Sequence, residues 1–277
     1  MNSKNKGFIF TFWEPKDQIP GYLKLCMQTW KKFLLDYQIV LLDYKLVEEM
    51  IGEPLFNSII CKEMPLAVQA DAIRVALLYL YGGIWIDTDV IILNKKLFEK
   101  IQNYELVISR EEKTKHNFIA FIYAKKGSII MYEWLIKIID NVRIYKNYFI
   151  NNKYTKLNKK YKKKSKSINY LGNYIIDPLL RKKTDNKFLF LDIEKINVFP
   201  ERILPPNGTL RYFIQSYLDF YFSNGDIKSI IKNTKGLIFL HNSWTPKKYK
   251  NMSEKEFLKQ DILLSKLLAK IIDIKII

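Results

Sequence analysis

Residues that staple a chain are scarce in this sequence. Its two cysteines, Cys26 and Cys61, form no disulfide framework and no zinc-type spacing. They are expected to be free thiols in a reducing compartment. Histidine is equally scarce, with two in the chain. Long apolar runs are missing too. The longest, residues 75–86, is interrupted by Gly82-Gly83 and bounded by Arg74 and Asp87. That falls short of the roughly 20 residues a membrane span needs. Lys4 and Lys6 precede a short apolar run, 7–13, which stops at Glu14-Pro15 without a small-residue cleavage site. That is not the pattern of a secretory leader. No internal repeat occurs. These absences predict a cytoplasmic protein, soluble or lying on a membrane surface.

Acidic charge is also in deficit. Lys and Arg number 46 against 28 Asp and Glu, a net charge of +18. Such a surplus favours anionic partners: nucleic acid, acidic lipid headgroups or phosphorylated substrates. An equal reading is a coding bias towards AT-rich codons, which the many Asn and Ile residues suggest and which raises Lys without function. What is present is a globular composition, 48% hydrophobic and 14% aromatic. The 277 residues can bury a core without staples, as one large α/β domain or two small ones.

The chain opens β-α-β. Residues 7–13 predict a buried strand, 22–35 a helix with apolar residues at helical spacing, and 37–42 a second strand ending at Asp43. Residues 46–60 predict one or two short helices broken at Gly52 and Pro54. Pro65 opens a helix that runs to about Tyr81 and stops at Gly82-Gly83. A strand over 84–86 then delivers Asp87-Thr88-Asp89, and 90–93 continues extended. Two further strands (105–109 and 117–123) and a helix (128–142) follow. Residues 153–166 are a lysine-rich excursion, and 124–235 as a whole is the variable part. Residues 170–181 are helical until Pro178, and 198–206 is punctuated by proline. A short strand over 236–240 delivers His241-Asn242-Ser243-Trp244. Residues 254–277 predict one long amphipathic helix.

Several of these positions can carry chemistry. Asp87 and Asp89 alternate at a strand end, where two carboxylates can share a hard divalent cation such as Mg²⁺ or Mn²⁺. A bare Asp-x-Asp is often only a solvated turn. Its place after an apolar strand matters, because ligand crevices in open α/β sheets lie beyond the strand ends. Asp71 and Arg74 sit on one side of a helix flanked by Ala70, Ala72, Ile73, Val75 and Ala76. A surface ion pair there would mean little. On a buried helix it suggests polar groups that grip a ligand's hydroxyls. His241 is a candidate third metal ligand. Lys247 could meet a phosphate as a point charge. Trp13 either stacks a nucleobase or packs in the core.

Asp71-x-x-Arg74 followed by Leu-Tyr-x-Tyr-Gly-Gly-x-Trp-x-Asp87-x-Asp89 resembles the signature of the glycosyltransferases of family 32. The segments Phe12-Trp13-Glu14-Pro15, Ile19-Pro20-Gly21-Tyr22 and Gln28-Thr29-Trp30-Lys31 are similar to its bacterial capsular polysaccharide branch. The resemblance covers roughly the first hundred residues and the His241 segment. It implies an α/β fold: a single GT-A domain over 1–277 with a Rossmann-like mixed central sheet and helical additions. It further implies a metal-dependent transferase that takes a sugar from a nucleotide-sugar donor, most often a UDP-sugar, with Mn²⁺ or Mg²⁺. By the resemblance Asp89 binds the metal, and Asp87 contacts the donor or adds a ligand. Asp71 and Arg74 hold the donor sugar, and Trp13 stacks on the base. His241 and Lys247 match the metal ligand and the diphosphate-binding lysine of related retaining galactosyltransferases. Asn242-Ser243-Trp244 instead resembles an element of the clostridial glucosylating toxins, which would make Asn242 the ligand and place Trp244 beside the donor; of the two, His241 is preferred as the ligand and Asn242 comes second. The acceptor implied is a glycan or lipid-linked saccharide, with anomeric configuration retained.

Two rivals differ in class. A haloacid-dehalogenase-like phosphatase also ends an apolar strand in Asp-x-Asp, but it normally has Thr or Val where Ile91 stands here. A basic nucleic-acid-binding protein would explain the lysines but not the carboxylates. No nucleic acid is expected as partner on the main reading. Lipid-linked acceptors and the amphipathic C-terminal segment allow peripheral contact with an anionic membrane.

Overall fold

The structure is a computed structural model. It describes residues 6–150, 165–181, 186–196, 210–232 and 236–273. The lysine-rich run up to 164 and the proline-punctuated 198–206 segment lie outside the described residues.

Strand β1 (Phe8–Phe12) is followed by helix α1 (Gly21–Phe33) and strand β2 (Gln38–Leu42). Asp43 ends β2 and caps α2 (Tyr44–Ile51), its carboxylate accepting the Leu46 N–H. Gly52 separates α2 from α3 (Glu53–Ile59), which has proline in its first turn. Pro65 precedes α4 (Leu66–Tyr81), whose Ala- and Leu-rich sequence suits a helix. Gly82 stops it at φ 67°, a left-handed conformation that disfavours a side chain, and a Cβ there would also strike the Lys126 backbone N–H. Strand β3 (Gly83–Ile86) comes next, then the short β4 (Val90–Ile92). The chain continues through β5 (Leu106–Arg110), β6 (Asn117–Ala124) and α5 (Ile129–Tyr145). Then follow α6 (Asn173–Leu180), β7 (Phe188–Asp192) and α7 (Leu210–Tyr221). Strand β8 (Leu237–Phe239) and the helices α8 (Glu254–Leu258) and α9 (Leu263–Ile271) complete it.

These elements fall into two compact units, each assembled from separate stretches of chain. The first comprises Met1–Lys16, Tyr37–Ile86 and Lys100–Leu191, and the second Asp17–Asp36, Asp87–Glu99 and Asp192–Ile277. In the first, a six-stranded mixed sheet has the order β2-β1-β3-β6-β5-β7. Strand β1 is parallel to β2 and β3, and β6 is antiparallel to β3 and β5. The core there joins Phe10, Trp85 and Ile122 of the sheet to Ala72, Ile73, Leu77, Trp134 and Ile176 of the helices. Each buried side chain of this size contributes about 1.5–3 kcal/mol. The second unit holds a separate two-stranded antiparallel sheet, β4 with β8. Helix α1 packs there, its Trp30 Nε1–H donating to Val90 O (2.7 Å).

Residues 90–92 are extended as expected and form β4, which pairs with β8. Two expectations are corrected. Helix α6 runs through Pro178 to Leu180. The proline forfeits only the bond that Tyr174 O would accept, and Arg181 N–H to Asp177 O (3.0 Å) closes the helix. The long C-terminal helix is two helices. A Ser253/Glu256 capping box starts α8, Ser265 Oγ–H donates to Leu258 O (3.0 Å) at its end, and extended Ile262 precedes α9. Leu263, Leu264, Leu267, Leu268 and Ile271 of α9 are buried within the second unit, so the apolar face is already covered. Among the described residues no helix is long and apolar enough to cross a membrane.

Candidate functional site

The second unit brings together two motifs that lie 153 residues apart in sequence. Strand β4 follows Asp89 and β8 precedes His241, and their pairing is extended by Leu240 N–H donating to Asp89 O (3.0 Å). The ladder therefore fixes the two motifs side by side. Asn242 N–H donates to Asp89 Oδ2 (2.9 Å), and Asn242 Oδ1 accepts from the Tyr22 hydroxyl (2.5 Å). Tyr22 is buried on α1, and its pKa is raised, first by desolvation and further by the charge of Asp89. It therefore stays a proton donor and orients the Asn242 amide.

His241 is held differently. Its N–H donates to Tyr217 Oη (3.1 Å), and its ring lies 3.9 Å from the Trp244 ring between centroids. Tyr217 and Phe213 approach both rings edge-on. Burial lowers the His241 pKa from 6.5 to about 4, so the imidazole is neutral at neutral pH. An unfolded chain would take up this proton near 6.5, the folded one only near 4. As pH falls across that window the unfolded state alone gains the proton, and stability is lost; above it the full contribution is present. In chelator-treated protein the expected loss is roughly 3 kcal/mol. Denaturant titration at several pH values, with His241→Asn as comparison, measures it.

Asp87 is half-buried, and its carbonyl accepts the Val90 N–H (3.1 Å). Lys247 is exposed at the start of a four-residue helical turn. Among the described residues no group of three or more His, Cys, Asp or Glu could hold a metal ion. The donors gathered are carboxylate and amide oxygens. Mg²⁺-type ions accept one or two carboxylates and complete their shell with substrate phosphate and water, so these residues fit such an ion when a phosphate ligand accompanies it.

The first unit holds the other candidates. Asp71 and Arg74 of α4 are each 4% exposed. Arg74 Nη2 lies 3.2 Å from Asp71 Oδ1, Nη1–H donates to Ile119 O (2.5 Å), and the guanidinium lies 5.0 Å from the centre of the Trp85 ring. The Ile119 carbonyl has a reason to need a partner. The β5–β6 register jumps from Ile108↔Ile122 to Ser109↔Phe118, so Ile119, Ala120 and Phe121 bulge out of the ladder with β5. Arg74 therefore ties helix α4 to this bulge. A Cβ on Gly172 would collide with Asp71 Oδ2 and lie 2.8 Å from Ile119 Cδ1. Gly172→Ala is expected to destabilise by about 1–3 kcal/mol, read as a lowered denaturant midpoint. Trp13 follows β1, is half-buried, and donates its N–H to Leu42 O (3.1 Å).

Sequence reasoning passed over Tyr22 and Tyr217. The tyrosines read as ordinary core aromatics.

Comparison with known proteins decides the family. Residues 1–260 match the capsular polysaccharide synthesis protein family. The chain belongs to that family. No curated protein matches it. Solved structures similar to the chain at low identity include the following two. One is the PaToxG glycosyltransferase, with 16% identity over 66% of this chain and 73% of that one, and a TM-score of 0.40. The other is a glycosyltransferase involved in the glycosylation of the major capsid of PBCV-1, with 11% identity over 86% and 94% and a TM-score of 0.39.

Proposed function

We propose that this member of the capsular polysaccharide synthesis family is a metal-dependent glycosyltransferase of GT-A type. It moves a sugar from a nucleotide-sugar donor, most readily a UDP-sugar, to a glycan or lipid-linked saccharide, with retention. The observation that carries the reading is the hydrogen bond from Asn242 N–H to Asp89 (2.9 Å), which joins the Asp-x-Asp and His-Asn-Ser-Trp segments within a family that makes polysaccharide.

In this reading Asp89, Asp87 and the Asn242 amide would hold Mn²⁺ or Mg²⁺. The ion, when bound, would supply positive charge to the departing diphosphate. Asn242 is favoured over His241 because Asn242 touches Asp89, whereas the His241 ring packs on Trp244. Asn242 N–H fixes the direction of the Asp89 carboxylate, and Tyr22 fixes the amide, so neither must reorganise when the donor arrives. Lys247 would add charge at the diphosphate, and Trp244 would border the donor. Within the first unit, Arg74 anchors the bulge at Ile119 beside Asp71. No carboxylate stands out in the sequence as a covalent nucleophile, so retention would follow from attack on the face the leaving group departs.

Calorimetric titration with UDP tests the donor assignment. Saturable binding that needs Mn²⁺ and disappears in Asn242→Ala is expected. UDP that binds equally well in chelator and with metal would contradict it.

A further inference from the structure

The main sheet of the first unit has a basic edge. Parallel strands β1 and β3 both begin there, at Phe8 and Gly83, and antiparallel β6 ends there, at Ala124. A groove of about 460 Å³ opens at this edge, with Lys6, Phe8, Tyr81, Gln102, Lys125 and Lys126 in its lining. All of its lining residues belong to the first unit. Its walls are set by short-range contacts. Gly82 packs on the Lys126 backbone, and Lys125 N–H donates to Glu105 O (2.9 Å). The Tyr81 hydroxyl donates to Met50 O (2.5 Å), and its ring meets Phe8 edge-on (6.1 Å between centroids). Among the described residues the lining holds three lysines and no carboxylate, a combination that favours an anion.

The groove continues into an apolar stripe. Gly127 N–H donates to Tyr79 O (2.8 Å), and the Tyr79 ring lies 5.6 Å from that of Tyr132. Helix α5 therefore starts directly beside Lys125 and Lys126. It buries Ile130, Met131, Trp134, Leu135 and Ile138, but leaves Ile129 51%, Tyr132 43% and Ile136 41% exposed. Steps of three and four residues put these three on one face. Single exposed apolar side chains are ordinary. A row of them on a helix already apolar on its inner side marks a contact surface. Over residues 125–137 the lysines Lys125, Lys126 and Lys137 are set against one acid, Glu133. Asp140, on the next turn, is paired with Arg143 (2.7 Å).

We propose that this edge of the first unit docks on an anionic lipid surface. Lipid phosphates meet Lys6, Lys125 and Lys126 at the groove, and Ile129, Tyr132 and Ile136 enter the headgroup layer. The pairing of cations with an apolar row decides the occupant. Nucleic acid would use the lysines and leave the isoleucines in water. An apolar protein face would use the isoleucines and leave the lysines unmatched. The C-terminal segment, from which membrane contact was expected, has the apolar residues of α9 covered, so the contact moves to α5. This inference stands independently of the sugar-transfer reading.

Co-sedimentation of the full chain with vesicles tests it, using phosphatidylcholine alone and phosphatidylcholine mixed with phosphatidylglycerol. Binding to the anionic vesicles only, weakened by added salt, is expected. Lys125→Glu/Lys126→Glu and Tyr132→Ser/Ile136→Ser should each bind about tenfold more weakly, with melting midpoints near that of the wild type. Lys255→Glu/Lys259→Glu makes the same charge change at exposed positions of the C-terminal segment and should bind like the wild type. The inference is overturned if the wild type binds neither kind of vesicle, or if the Lys255/Lys259 pair matters as much as Lys125/Lys126. It is equally overturned if Tyr132→Ser/Ile136→Ser binds undiminished, because charge alone would then account for the binding. Donor hydrolysis is measured without vesicles, so the sugar-transfer reading and this inference fail separately.

Discussion

Asp89→Ala is expected to reduce nucleotide-sugar turnover by about a thousandfold. The residue combines two duties that can be separated. Its carboxylate would supply charge to the metal, and its Oδ2 accepts the Asn242 N–H that holds the His-Asn-Ser-Trp segment. Removing the acceptor leaves that N–H unsatisfied, at a cost of about 1–3 kcal/mol in stability. Asp89→Asn keeps an oxygen at the same place and removes the charge. It should therefore lose nearly as much turnover while melting like the wild type. An Asp89→Asn protein with full activity would show that the carboxylate serves only the fold. Steady-state turnover and thermal melts on both variants distinguish the two duties.

The largest stability effect is expected at Arg74. Arg74→Ala should destabilise the protein by about 3–5 kcal/mol, because it takes the guanidinium away from the buried Asp71 carboxylate. It also leaves the Ile119 carbonyl of the bulge without the guanidinium. Arg74→Lys should recover little, since one ammonium cannot reach Asp71, Ile119 and the Trp85 face together. The Asp71→Ala/Arg74→Ala double variant should cost less than the sum of the single ones, because both single variants lose the same ion pair. Urea unfolding of the four proteins measures this. Additive losses would mean that the two side chains act separately and that the bulge does not depend on their pairing.

Local features of the fold were legible where the sequence carries local punctuation. Pro65 and Gly82 bound α4 because one cannot continue a helix backwards and the other takes a left-handed turn. The short apolar runs of β1, β2 and β3 predicted buried strands and an opening β-α-β. What the sequence could not disclose are pairings between distant segments. Nothing in residues 90–93 says that they leave the main sheet for β8, since an apolar triplet suits either partner. Nothing near Ile119 announces a three-residue bulge, because Phe118, Phe121, Ile122 and Tyr123 around it favour strand. The C-terminal segment kept a helical apolar period across 259–262, and the break there comes from tertiary hydrogen bonds of Ser265 and Leu263. The site divides in the same way. Asp87, Asp89, Asp71, Arg74 and His241 stand in recognisable motifs. Asn242 gains its prominence from touching Asp89, a contact that spans 153 residues.

The account's central claim is sugar transfer from a nucleotide-bound donor. The most direct measurement is a screen of UDP-, GDP-, CMP- and dTDP-sugars for hydrolysis by the wild-type chain, with Mn²⁺, with Mg²⁺ and with chelator. The account predicts release of nucleotide from at least one donor, a UDP-sugar first, and none in chelator. Release of nucleotide from no donor under any of these conditions, in protein that melts cooperatively, would contradict it.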